Sequence, residues 1–147
     1  MKISTIGFTE KKAERFFSLI QLSGCKRVID VRLNNVSQLS GFAKKDDLKY
    51  FLSEICQVDY IHIPELAPTK EILKPYQNKE ITWKQYEDKF LELMAKRKIE
   101  QLVKPEIIED GCLLCSEHLP HQCHRRLVVE YLTQCWPTKN VTTKHLT

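Results

Sequence analysis

Short apolar runs alternate with helical patterns along the whole chain, and this alternation limits the folds that the chain can adopt. Strands that alternate with helices predict a mostly parallel sheet covered by helices on both faces. We therefore expect an α/β fold, a single three-layer domain with a mostly parallel sheet of about five strands flanked by helices. The predicted strands are residues 3–8, 27–32, 59–64, 112–116 and 141–146.

Capping and stop signals bound several of the predicted helices. Thr9 is placed to cap a first helix that Gly24 ends. Thr82 and Gln85 fit a capping box, and an aromatic stripe follows them at helical spacing, which we interpret as core. The last predicted helix opens near Cys123 and buries one apolar face.

Two segments lack a regular pattern. Residues 34–45 are rich in small polar side chains and are predicted to form a loop of functional length. Pro68 and Pro75 are expected to interrupt any regular element between Glu65 and Glu80, which we interpret as a long excursion and part of a lid.

Length and composition favour an ordinary intracellular domain. The 147 residues are enough for one core, so we predict one α/β domain over residues 1–147. Neither a membrane-spanning apolar run nor a signal-peptide pattern is present, which predicts a cytoplasmic location and no membrane partner. The six cysteines are then expected to be reduced rather than paired in disulfides. The oligomeric state is not predicted.

The net charge is +4, from 23 basic and 19 acidic residues. This mild surplus suits a small anionic ligand but is less than the usual basic footprint of a nucleic-acid-binding domain. A nucleic-acid partner is therefore only weakly supported.

The densest group of reactive side chains is residues 111–126, GCLLCSEHLPHQCHRR, where a strand ends and the last helix begins. Ligands of open parallel sheets bind outside the carboxyl ends of the strands. These ends carry Asp30 and Arg32, His62, and Cys115 with Glu117. We expect one crevice to collect them together with the start of the last helix.

The first turn of the last helix carries His124, Arg125 and Arg126, where cations are mildly disfavoured by the helix dipole. An anion bound there would remove the conflict, with Arg125 and Arg32 as clamps. The alternative is structural: Glu117 pairs with Arg125 and ties the strand to the helix.

Cys123 is the candidate nucleophile. A helix start and neighbouring cations lower a thiol pKa and favour the thiolate, and Glu117 or His124 would carry the proton. A cysteine that serves only packing is the alternative. Asp30, Cys115 and His62 are predicted as supporting residues, and His62 alone is more typical of a satisfied histidine near the core.

Two further interpretations use the cysteines. Cys112 and Cys115 have C-x-x-C spacing, but residues three apart on a strand point to opposite faces, which argues against a redox pair. Cys115, Cys123 and His124, with His118 or His121, could surround zinc, although the spacing is no standard zinc pattern. We therefore predict neither a bound metal nor a cofactor and keep the metal site as an alternative.

Five stretches together resemble one known family. They are TIGF, VIDVR, SGFAKKDDL, YIHIPEL and LLCSEHLPHQCHRRLVVEYL, in this order. The chain resembles the prokaryotic family called domain of unknown function 488, over nearly its whole length. The resemblance implies a compact α/β domain with characteristic positions at Asp30, Arg32, Cys115, Glu117, Cys123, His124 and Arg125.

The chain departs from the family pattern at two places. The family typically has GHS or GHT where this chain has Gly7-Phe8-Thr9, and a proline after the DVR run where this chain has Asn34-Asn35. A catalytic role of that histidine in the family would not transfer to Phe8.

Three functions follow from these residues. The first is an enzyme that acts on a phosphate-bearing or otherwise anionic small molecule, such as a nucleotide, with Cys123 as nucleophile or thiol reactant. The second is a non-catalytic module that binds the phosphate of a nucleotide or nucleic acid. The third is a metal site at Cys115, Cys123 and His124.

Overall fold

The computed structural model describes residues 1–36 and 41–147. Within them, five strands form one parallel sheet in the order β3-β2-β4-β1-β5. The predicted α/β class and parallel sheet are confirmed, and each predicted strand is present within two residues of its expected ends. The strands are β1 (Lys2–Gly7), β2 (Arg27–Asp30), β3 (Asp59–His62), β4 (Gly111–Cys115) and β5 (Thr142–Leu146).

Helices cover both faces of this sheet, which makes the fold three-layered. A π-helical turn, Leu52–Cys56, extends the second helix. The helices are α1 (Ala13–Ser23), α2 (Lys45–Phe51), α3 (Lys70–Gln77), α4 (Trp83–Arg97), α5 (Ile99–Leu102), α6 (Pro105–Ile108) and α7 (His124–Cys135). Among the described residues, none of them combines the length and the apolar character needed to cross a bilayer.

The sheet separates two apolar cores. On one face Leu113 packs in a cluster with residues of α4 and α7, and on the other Leu114 packs with residues of α1 and α2. Because side chains alternate along a strand, Cys115 joins the first core and Cys112 the second. The expectation that Cys112 and Cys115 point to opposite faces is confirmed.

Thr9 does not cap the first helix as predicted. The helix begins at Ala13 after an N-cap at Lys12. Thr9 instead donates from its amide and its hydroxyl to the carbonyl of Ser116, at 3.0 and 2.5 Å. Thr9 can reach the carbonyl of Ser116 because β1 and β4 are neighbours in the sheet and end side by side.

The segment from Glu65 to Glu80 is also more regular than predicted, since α3 contains Pro75. A proline in the second half of a two-turn helix removes only one helical hydrogen bond. Ile72, Leu73 and Tyr76 pack against the core beside α4, and this packing outweighs the loss. Of the predicted loop 34–45, residues 37–40 lie outside the described residues, and Gly41–Ala43 forms a 3-10 turn.

Candidate functional site

A pocket of about 400 Å³ lies where β2 and β4 end and α7 begins. Its remaining walls come from α3 and the start of α4. Five of the predicted site residues line it: Arg32, Cys115, Glu117, Cys123 and His124. Asp30, His62 and Arg125 are not among its lining residues and lie behind it. The predicted crevice at the carboxyl ends of the strands is therefore present.

The floor of the pocket holds a cluster of two thiols and one imidazole. The ligand atoms of Cys115, Cys123 and His124 all lie within 4.8 Å of one another. Cys115 is the last residue of β4, and Cys123 is the residue that precedes α7. The two thiols are 6% and 3% exposed, so the cluster is nearly removed from solvent.

His124 has a different partner on each ring nitrogen. Its Nε2 lies 2.6 Å from the carbonyl of Val31, which can only accept, so Nε2 carries the hydrogen. In the neutral ring, Nδ1 then keeps a free lone pair, and it faces Sγ of Cys115 at 3.5 Å. The backbone after β2 thus orients His124 as a proton acceptor or a metal ligand.

The two thiols differ in acidity. The hydrogen bond from Cys123 lowers the pKa of Cys115, helped by the charge of Arg125 and the amides of Ser116 and Glu117. Burial raises the pKa of Cys123 well above its ordinary value, and the neighbouring Cys115 raises it further. The low pKa predicted for Cys123 is not found, because the helix start does not offset its burial. Cys115 is the more acidic thiol.

Arg125 is a buried anchor for the loop that follows β4. Its Nη1 donates to the carbonyl of Glu117 at 2.5 Å and its Nη2 to that of His118 at 3.3 Å. Its Nε donates to the hydroxyl of Thr5 on β1 at 3.2 Å. Arg125 does tie the strand to the helix, but through the main chain of Glu117 and not through its carboxylate. Its clamp role stays a prediction that these contacts do not favour.

The other first-turn cation also has protein partners. Arg126 pairs with Glu87 at 3.3 Å and Glu130 at 3.2 Å, and its Nη1 donates to the carbonyl of His121. Its Nε makes the ion pair with Glu130 but has no hydrogen bond within the described part of the chain. The conflict at the helix start is therefore resolved without an anion at that point.

Arg32 is the cation of the pocket that retains an unused donor. Its Nε and Nη2 form a bidentate ion pair with Asp30, at 2.9 and 2.8 Å, and its guanidinium lies over the ring of Phe8 at 5.4 Å. The side chain is 2% exposed, and Nη1 has no hydrogen-bond partner among the described residues. A buried unpaired guanidinium hydrogen costs about 1–3 kcal/mol, so this atom favours an acceptor from a ligand.

Asp30 and His62 hold Arg32 in place. Asp30 accepts a hydrogen bond from the hydroxyl of Tyr60 at 2.5 Å, in addition to those from Arg32. Nε2 of His62 lies 2.9 Å from the carbonyl of Arg32. Their supporting roles in a functional site stay predictions.

Sequence reasoning missed the walls of the pocket. Tyr76, Trp83 and Tyr86 line one side, and Lys70 and Lys74 contribute positive charge from α3. The aromatic stripe of α4 was interpreted only as core. Trp83 and Tyr86, at the start of this stripe, stack on each other and also line the pocket. The helical spacing of the lysines could have revealed α3, but Pro75 inside it and Pro68 before it concealed it.

A family model described as domain of unknown function DUF488 matches residues 12–132. The chain belongs to this family. The predicted family is thereby confirmed, and the matched range includes every residue that lines the pocket. Phe8, where the chain departs from the family pattern, lies before the matched range. No curated protein and no solved structure matches the chain.

A second cavity of about 640 Å³ also touches the DUF488 range, between α1 and α2. Its walls include Phe17, Phe42 and Phe51, and no thiol or histidine lines it. Within the described residues, the chemistry is therefore concentrated in the pocket at the strand ends. There a buried thiol, an imidazole with a free lone pair and an unpaired guanidinium hydrogen lie on one pocket, an arrangement suited to nucleophilic attack on an anionic ligand.

Proposed function

We propose that this chain is an enzyme that acts on a small anionic molecule, with Cys115 as its nucleophile. The observation that carries the proposal is the unpaired Nη1 of the buried Arg32, on the same pocket as Cys115 and His124. An anionic oxygen bonded to Arg32 would lie on the same pocket as Cys115, a thiol whose pKa is lowered. The sequence favoured Cys123 for this role, and the geometry supports its neighbour instead.

The walls of the pocket support a ligand with a planar ring. Tyr76 and Trp83 each lie within 6 Å of Tyr86, ring centre to ring centre, at 4.9 and 5.2 Å. Such rings stack on flat ring systems, and Lys70 and Lys74 add charge near an anionic group. The pocket volume of about 400 Å³ is within the range of small-molecule sites. A nucleoside monophosphate carries both features and is the probe of choice.

The proton carriers are assigned by position. Nδ1 of His124 accepts the proton of Cys115, from which it lies 3.5 Å away. Glu117 is exposed at the pocket, where its carboxylate can exchange protons with solvent. Burial raises the pKa of the Tyr76 hydroxyl, and the charge of Glu117 raises it further.

The binding step can be tested by calorimetry and thermal shift with adenosine monophosphate, adenosine and inorganic phosphate. We expect the monophosphate to bind most tightly and to raise the melting temperature. Arg32→Lys keeps a charge beside Asp30 but removes Nη1, and should weaken binding roughly ten- to hundredfold. Arg27→Lys is the matched control, because Arg27 begins β2, the strand that Arg32 follows, and bonds the carbonyls of Ile107 and Glu109 away from the pocket lining.

Equal affinity in Arg32→Lys and the wild type, or no binding of any of the three probes, would contradict the proposal. A non-catalytic module of the kind predicted from the sequence would bind the monophosphate with strong salt dependence and leave it chemically unchanged.

A metal centre is the second candidate, favoured by the three ligand atoms within 4.8 Å and by the Nε2 bond of His124 to a backbone carbonyl. Two thiolates and one imidazole leave a fourth zinc position facing the pocket. Elemental analysis of untagged protein, purified without chelators, decides it. Stoichiometric zinc that is lost in Cys123→Ser and kept in Cys112→Ser would support the metal centre, and metal-free protein would exclude it.

A further inference from the structure

The two thiols on the pocket floor are close enough to react with each other. Sγ of Cys115 and Sγ of Cys123 lie within 4.8 Å of each other. A disulfide requires about 2.05 Å between the sulfurs, so side-chain rotation must close the remaining gap. Cys123 follows residues 116–122, which form neither strand nor helix.

We propose that Cys115 and Cys123 form a reversible disulfide, and that the chain exchanges this pair with low-molecular-weight disulfides. The pair is not the Cys112–Cys115 spacing of the sequence, because Cys112 packs in the opposite core and is hydrogen bonded to Cys25. Cys115 and Cys123 are brought together by the junction of β4 and α7.

The exchange proceeds in two balanced steps. The thiolate of Cys115 attacks one sulfur of a small disulfide, which forms a mixed disulfide and releases one thiolate. Cys123 then gives its proton to Nδ1 of His124 and attacks the sulfur of Cys115, releasing the second thiolate. The small disulfide gains two electrons and the protein dithiol loses them. Protons from the two cysteines pass through His124 to the released thiolates.

The position of His124 favours Cys115 as the attacking sulfur and Cys123 as the resolving one. Nδ1 of His124 lies 3.5 Å from Sγ of Cys115, where it can take the thiol proton. The ligand atoms of His124, Cys115 and Cys123 all lie within 4.8 Å of one another. One imidazole can therefore serve both steps. Oxidised glutathione, which carries carboxylates, suits the positive charge of Arg32, Lys70 and Lys74 on the pocket.

Peptide mapping after equilibration with reduced and oxidised glutathione tests the inference. Free thiols are alkylated, and the protein is cleaved after glutamate, so that Glu117 separates Cys115 from Cys123. We expect residues 110–117 and 118–130 to be joined in the wild type and in Cys112→Ser. The joined species should be lost in Cys115→Ser and in Cys123→Ser. Joining that is lost in Cys112→Ser would assign the bond to Cys112 and overturn the inference.

Alkylation of both Cys115 and Cys123 would show that the two thiols stayed free under oxidising glutathione. This result would also overturn the inference, whether or not a metal accompanies the thiols. The inference shares Cys115 with the proposed function but does not depend on the bound anion. Arg32→Lys, mapped with diamide as a neutral oxidant, should still form the joined peptides. Loss of nucleotide binding with an intact disulfide would then contradict only the proposed function, and the reverse result only the disulfide.

Discussion

At the scale of single residues, the order in which Cys115 and Cys123 lose their protons decides which thiol is the better nucleophile. The two sulfurs lie within 4.8 Å, so a charge on one sulfur opposes a charge on the other. Arg125, Tyr76, Tyr86 and His124 are among the titratable or charged groups around them. Because the hydrogen bond from Cys123 is the largest cause of the lowered pKa of Cys115, that shift is expected to depend on Cys123.

The pH dependence of iodoacetamide labelling, resolved by site with mass spectrometry, checks this. A lowered pKa means that the thiolate forms at lower pH, so Cys115 should label with a midpoint below that of an unperturbed thiol. Cys123 should label only at higher pH. In Cys123→Ala, which removes the donor of this hydrogen bond, the Cys115 midpoint should move upward.

Cys56 serves as an internal control, since burial raises its pKa to about 11. Labelling of Cys123 at lower pH than Cys115 would restore Cys123 as the nucleophile and contradict the assignment made here.

The residue types of the site were predictable from sequence, but their partners were not. The sequence placed Cys115, Cys123 and His124 at one junction, which the structure bears out. It could not show that Arg125 turns toward the carbonyls of Glu117 and His118, because residues 116–122 have no regular pattern from which to infer direction. It also could not show that Asp30 occupies only two of the donor nitrogens of Arg32.

At the scale of elements, the end of β1 and the loop after β4 approach each other closely at Gly7. A Cβ added to Gly7 would overlap the carbonyl of Glu117 and lie 2.9 Å from Nη1 of Arg125. This contact requires glycine because no side chain fits between the two segments. It positions the loop that carries Glu117 to the pocket.

Gly7→Ala should therefore destabilise the protein by about 1–3 kcal/mol or more, since overpacking displaces the loop and the bonds of Arg125. Urea unfolding measures the change in the free energy of unfolding. Gly41→Ala is the matched control, because no atom of residues 1–36 or 41–147 is found within 4 Å of its added Cβ. Equal stability of the two variants would show that the loop yields without cost.

Helix α4 presents Trp83 to the pocket from its first turn, so its start must be fixed. Thr82 and Gln85 form the predicted capping box, with bonds of 3.2 and 2.8 Å. Thr82→Ala should cost about 0.5–2 kcal/mol. Thr69→Ala is the control, because Thr69 precedes α3 without a side-chain cap bond, and it should change stability less. A similar loss in both variants, by thermal or urea unfolding, would argue against the cap.

The helices and strands differ in how local the sequence patterns are that predict them. The strands and the capping box follow from patterns a few residues long, and both were predicted. Helix α3 was missed because its stability comes from packing against α4 rather than from its own sequence. The N-cap assigned to Thr9 failed because a neighbouring strand offered Thr9 a better partner.

At the scale of the molecule, the ion pair of Asp30 and Arg32 joins the sheet to the pocket. Both side chains are almost fully buried, at 0% and 2% exposure, and Tyr60 of β3 also bonds Asp30. A protein of this kind has a total stability of about 5–15 kcal/mol, so a single buried pair is a large part of it.

Asp30→Asn should reduce the free energy of unfolding by about 3–5 kcal/mol, since it leaves the buried charge of Arg32 without its partner. Asp110→Asn is the matched isosteric control. Asp110 pairs with the exposed Lys26, and an exposed pair contributes about 0–1 kcal/mol. Chemical unfolding in urea would contradict the expectation if the two variants lost similar stability.

The position of β4 in the sheet has a consequence for how the chain is made. β1 and β2 do not bond each other, and both pair with β4, which is formed by residues 111–115. During synthesis, the first two strands therefore emerge from the ribosome long before the strand that joins them. Until β4 is synthesised, the apolar residues and unpaired edges of β1 and β2 stay accessible to chaperones and to other nascent chains. The same late strand, β4, also carries Cys115. The sheet therefore acquires its central strand and the thiol of Cys115 at the same stage of synthesis.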